Sequence, residues 1–187
     1  MSSTLHVSFV AADSGLWRVR SVTPIIGETL APAARIDVRE GAIATPEAVS
    51  AAWILRGVTS HPRYVTAVER DGLRAVQAGL GRPEATHAAL IPMTKSDAWW
   101  ALAQDERRAI FEERSHHVAG TLKYLPAIAR RLHHSRELGE PFDFLTWFEY
   151  APAHDALFDE LVGLLRATEE WKYVVREVDL RLERVAP

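Results

Sequence analysis

The chain has 187 residues, 48% of them hydrophobic and 25% charged, with a formal charge of −3 and a pI near 6.2. That length suits one sizeable domain or two small fused ones, and the weakly acidic balance argues against nucleic acid or an anionic membrane surface as the main partner. There are no cysteines, so disulfides, thiolate metal sites and cysteine nucleophiles are excluded, and any metal must be held by His, carboxylate or Tyr.

The opening MSSTLHVSFVAADSGLW has no cationic stretch ahead of a long apolar one, and no apolar run approaches about 18 residues anywhere. The sequence therefore reads as a soluble, cytoplasmic protein with no membrane partner. Residues 5–10, 16–22 and 53–58 have strand character, and residues 64–78 have helical spacing. Residues 23–50, rich in Pro, Ala and Gly, read as a long connection.

The second half is more regular. Ala88-Ala89-Leu90-Ile91 before Pro92 suits a buried strand, and Asp105-Glu106-Arg107-Arg108 opens a long helical pattern. Ile110, Arg114, His117, Thr121 and Leu125 share a stripe of that helix, which turns His117 inward and His116 away. Pro126 should end it. Residues 128–136 then predict a strand, 137–141 a turn, and 142–150 a second strand. Pairing these two antiparallel puts Arg130, Leu132, Thr146 and Phe148 on one wall. Pro152 opens another helix, which ends before Glu169-Glu170, and Val178, Leu180 and Leu182 alternate along a last strand. Strand, helix, strand, strand, helix, strand is the ferredoxin-like plan. The expected fold is α+β, with two fused ferredoxin-like units: a shortened one over residues 1–83 and a complete one over 84–187.

A lone His on a helix is more often packed than ligating, and a paired Arg usually holds structure. Arg130 differs, because Leu132, Thr146 and Phe148 offer it no charge partner and leave it available to an anion. His133-His134 reads as structural. Lys95, Trp99 and Trp100 read by composition as a helix start with packing aromatics, although Lys95 can also bind a carboxylate and the two rings can line a flat ligand.

Together these segments resemble the chlorite dismutase family, in its short, usually dimeric branch. The resemblance rests on PMTKSDAWWAL, then HHVAGTLKYLPAIARRLHHSRELGEPFDFLTWFE, then RATEEWKYV, in that order. It implies one haem b per chain with His117 as proximal iron ligand and Glu170 accepting the hydrogen on the other ring nitrogen. Lys95 would meet that carboxylate, with Trp99 and Trp100 near the haem edge. Arg130 would be the catalytic distal residue, beside Leu132, Thr146 and Phe148. The coprohaem decarboxylases of the same fold typically carry Gln where Arg130 stands, so Arg130 favours chlorite.

The implied activity is that of a haem b oxidoreductase, a chlorite O2-lyase, converting chlorite to chloride and dioxygen without an outside electron donor. Arg130 would retain the hypochlorite-level fragment until the oxygen–oxygen bond forms. A homodimer is expected, since helices cover one face of a ferredoxin-like sheet and leave the other to be buried; a second sheet half is available within the chain, so the dimer rests partly on the resemblance. The competing readings are a haem carrier or weak peroxidase using the same pocket, and a cofactor-free ferredoxin-like enzyme or small-ligand module.

Overall fold

In the computed structural model, which describes residues 5–41, 50–59 and 63–185, eight antiparallel strands close into a single barrel. The strands are β1 (His6–Ala12), β2 (Trp17–Ile26), β3 (Arg35–Glu40), β4 (Trp53–Val58), β5 (His87–Lys95), β6 (Ala129–His134), β7 (Phe144–Tyr150) and β8 (Val174–Arg184). Their order around the barrel is β1-β3-β2-β8-β5-β7-β6-β4. Each run of four consecutive strands is thus arranged fourth, first, third, second, which is the ferredoxin-like order used twice. The helices are α1 (Ala67–Val76), α2 (Asp97–Ala101), α3 (Gln104–Arg108), α4 (His117–Thr121) and α5 (Asp155–Arg166).

Strand alternation decides what lies inside. Leu145 and Trp147 of β7 point into the barrel, where they join Phe9, Trp17, Ile36, Leu90 and Leu180. Phe148 and Tyr150 of the same strand point outward and pack with Tyr124, Ile128 and the α5 residues Phe158 and Leu161. Both faces of the C-terminal sheet are therefore covered within one chain. The second sheet half available within the chain fills the face that the helices leave, so the sheet gives no ground for the homodimer beyond the resemblance.

The expected hairpin is formed by β6 and β7, in a register that pairs Arg130 with Phe148 and Leu132 with Thr146. Its strands are shorter than expected, and β5 is longer. It continues through Pro92 to Lys95, because the pairing with β8 skips Ile91 and Pro92, where the missing amide would otherwise leave a gap. The expected connection over 23–50 is also corrected: β2 extends to Ile26, with Pro24 at a bulge, and β3 lies within it. Residues 42–49 of that connection lie outside the described residues.

The long helix expected from Asp105 is instead a series of short pieces. After α3 the chain makes a π-turn over Ala109–Arg114 and breaks at Ser115-His116, with His116 left-handed at φ +50°, before α4 begins at His117. The stripe drawn across this break is discontinuous. Arg114 is exposed and pairs with Glu169 at 3.3 Å, while Ile110 and Thr121 are buried as expected.

Candidate functional site

A cavity of about 810 Å³ lies against the outward-facing residues of β5, β6 and β7, with α1, α4 and α5 contributing to its other sides. Its size is that of a pocket for a large organic ligand. Lys95, Trp99, His117, Arg130, Leu132, Thr146, Phe148 and Glu170 all line it. Trp100 does not. It stacks behind Phe144 at 5.9 Å, donates its Nε1–H to Asp143 Oδ2 at 3.1 Å, and has Arg107 and Arg136 over its ring.

On the helical side, α4, the turn Glu170–Tyr173 and the end of β5 bring three side chains into one chain of contacts. His117 Nδ1 lies 2.8 Å from Glu170 Oε2, so the ring hydrogen on that nitrogen goes to the carboxylate. Lys95 Nζ donates to Glu170 Oε1 at 2.8 Å and to the Glu170 carbonyl at 3.2 Å. Lys95 reaches this point because β5 runs past Pro92. Burial alone would raise the Glu170 pKa, but the electrostatic attraction and hydrogen bonds from His117 and Lys95 outweigh it and bring it from 4.5 to about 2. Glu170 is therefore a fixed anion, and His117 Nε2 is the ring atom left for a ligand.

On the strand side, Arg130 has no hydrogen-bond or ion-pair partner for its guanidinium among the described residues, and burial holds its pKa below the ordinary arginine value. Only its backbone carbonyl is engaged, accepting from Gln77 Nε2 at 2.9 Å. Its neighbours Arg131 and Arg63 are paired with Glu40 and Glu137. Arg130 is only partly buried, but a cation withdrawn even in part from water without a counter-ion is held at a cost. A site built this way attracts an anion.

His133 and His134 separate as the alternation requires. His133 points into the barrel and donates from Nδ1 to the Leu145 carbonyl at 3.0 Å, whereas His134 lines the cavity, edge-on to Phe144. Burial lowers both to a pKa of about 4, so both are neutral near pH 7. Phe111 went unassigned in the sequence, yet it stacks on the His117 ring with centroids 4.3 Å apart. Its spacing to His117 crosses the π-turn, so no helical period could have shown the contact.

Among the described residues no three His, Asp or Glu converge on a metal position. His117 offers one imidazole nitrogen, Nε2, towards the cavity, the kind of single protein ligand that a haem iron takes. The residues present fit a haem on two further counts. Leu132, Phe148 and Val118 give the cavity apolar walls for a porphyrin. Trp99, which also lines it, keeps a buried Nε1–H with no acceptor, the kind of donor that a carboxylate arm of the cofactor would satisfy.

Comparison with known proteins agrees with this architecture. The family model for chlorite dismutase matches residues 25–184. A chlorite dismutase from Ideonella dechloratans is 35% identical over 89 residues, a match spanning 48% of this chain and 29% of that protein. The crystal structure of a dimeric chlorite dismutase from Nitrobacter winogradskyi is 60% identical, with 96% of this chain and 99% of that chain covered and a TM-score of 0.89. A mutant chlorite dismutase from Candidatus Nitrospira defluvii shares the fold at 21% identity, covering 100% and 93% of the two chains with a TM-score of 0.71. With a family match over most of its length and the same fold at high identity, the chain belongs to the chlorite dismutase family.

Proposed function

We propose that this protein is a haem-dependent chlorite dismutase that converts chlorite to chloride and dioxygen, with one haem b per chain. The observation that carries the reading is the pairing, in one cavity, of an imidazole whose Nδ1 is committed to a buried carboxylate with a partly buried arginine whose guanidinium has no partner among the described residues. His117 would ligate iron through Nε2. Glu170, held ionised by Lys95, would draw the Nδ1 hydrogen and give the imidazole anionic character, which favours the ferric state. Trp99 would hold a propionate.

The bound haem would supply the redox chemistry by which both chlorine–oxygen bonds of chlorite break and the two oxygens join. The conversion of chlorite to chloride and dioxygen balances without any outside proton or electron, so the site needs no general acid and no donor channel. Arg130 would bind the incoming anion and retain the anionic chlorine fragment, an electrostatic clamp that is far stronger in a water-poor cavity than in bulk solvent. Leu132, Thr146 and Phe148 would shape the wall without competing for its charge.

We further infer a homodimer in the cytoplasm; no described helix is long and apolar enough to cross a membrane. The dimer is supported by the Nitrobacter winogradskyi relative, which is a dimeric chlorite dismutase. Haemin titration tests the cofactor assignment: a Soret band saturating at one equivalent in the wild type, and absent in His117→Ala, is expected. A colourless protein, or a band that survives His117→Ala unchanged, would overturn it.

A further inference from the structure

Glu112 is a buried carboxylate that makes no contact with the Lys95–Glu170–His117 chain described above. It sits in the π-turn, and both of its oxygens are used by one helix end. Oε2 accepts from the Val118 amide at 2.6 Å and Oε1 from the Ala119 amide at 3.0 Å. These are the second and third amides of α4, which have no partner within the helix and are ordinarily satisfied by a Ser, Thr, Asp or Asn side chain at the cap.

The capping residue here cannot do this. His116 makes no side-chain capping bond, and its backbone sits in the left-handed region, which a residue with a Cβ adopts only when its surroundings impose it. A helix of five residues has no stability of its own either. The start of α4 is therefore held from outside, by Glu112. The same segment carries the other contacts that fix the His117 ring: Phe111 stacks on it, and the Glu170 amide donates to Ser115 Oγ at 3.0 Å. Thr121 Oγ1 also donates to the His117 carbonyl, at 2.7 Å.

We propose that Glu112 is a positioning residue, a remote helix cap that fixes the first turn of α4 and thereby directs His117 into the cavity. What His117 meets there rests on the haem reading. The fixing of the turn is a property of the apoprotein and can be tested without haem.

The experiment compares wild type, Glu112→Gln and Glu112→Ala, each as apoprotein and after haem loading. In the apoprotein, amide hydrogen exchange at Val118 and Ala119 should accelerate about tenfold in Glu112→Ala, the scale of a lost cap, while the barrel amides of Leu90 and Leu180 stay unchanged. Glu112→Gln, which keeps one acceptor oxygen, should fall between. After loading, release of haem to apomyoglobin should quicken in the same order, and the ferrous iron–imidazole stretching band should broaden or split. Unchanged exchange at Val118 and Ala119, or equal acceleration throughout the barrel, would overturn the proposal. So would an unaltered stretching band in a variant whose α4 amides had been freed. A wild type with no Soret band would instead defeat the haem reading, and the exchange data would still decide the role of Glu112.

Discussion

Replacing Glu170 with glutamine keeps the shape of the side chain and removes its charge, so the variant resembles the wild type with Glu170 protonated. The fall of the Glu170 pKa from 4.5 to about 2 means that folding favours the ionised form, by roughly 1.4 kcal/mol per pH unit, or on the order of 3 kcal/mol at neutral pH. Because the folded value lies below the unfolded one, this stabilisation is complete above 4.5 and is lost as pH falls towards 2. Glu170→Gln apoprotein should therefore be less stable than wild type by on the order of 3 kcal/mol at pH 7, with the difference shrinking as the pH is lowered below 4.5. Urea unfolding at pH 7 and below pH 4.5 measures both differences. The same variant loaded with haem should show a higher ferric/ferrous potential by spectroelectrochemistry, since its ligand imidazole loses its anionic partner. Equal stability of the two proteins at pH 7, together with an unchanged potential, would mean that Glu170 is a solvated helix-end carboxylate and that the proximal network is wrongly drawn.

Four further outcomes follow. His117→Ala should lose stable haem retention while His116→Gly keeps it, glycine being chosen because position 116 is left-handed; absorption spectra after gel filtration decide, and equal loss in both would contradict the ligand assignment. Arg130→Ala should bind haem and still cleave some chlorite but release hypochlorite, seen as scavenger oxidation and faster haem bleaching, and complete oxygen yield without scavenger oxidation would refute the clamp. Lowered to about 4 by burial, His133 and His134 resist protonation that the unfolded chain accepts near 6.5, so stability should fall from pH 7 to pH 5 by about 2 kcal/mol for each, and a flat urea midpoint over that range would count against their buried, neutral state. Gly57→Ala should destabilise by about 1–3 kcal/mol, because an added Cβ would lie 2.7 Å from the Cβ of His133, and thermal melting should show it.

The sequence made the hairpin wall legible because period-two alternation runs without interruption through 129–134 and 144–150, so register and facing follow together. His117 was legible as an inward residue, although for an incomplete reason. The stripe from Ile110 assumed a continuous helix, while the chain reaches the same outcome through a π-turn, a left-handed His116 and a cap supplied by Glu112. None of those three is a local propensity; each depends on contacts that exist only in the folded chain. The third strand was missed because Arg35, Asp37 and Arg39 are charged and only Ile36 and Val38 carry the alternation, against a background rich in proline and alanine. Barrel closure was not legible at all. Val58 pairs with His134 beside a glycine that tolerates no Cβ, and that requirement arises only once the two halves meet.

With haem bound, the His117 and Arg130 sides of the cavity should together turn chlorite into dioxygen. An oxygen electrode measures this directly on haem-loaded protein. One dioxygen evolved per chlorite consumed, falling away in Arg130→Ala together with hypochlorite release, is the predicted result. Haem-loaded protein with an intact Soret band that evolves no oxygen from chlorite would contradict the account and leave haem carriage or weak peroxidase activity as the better reading of the same pocket.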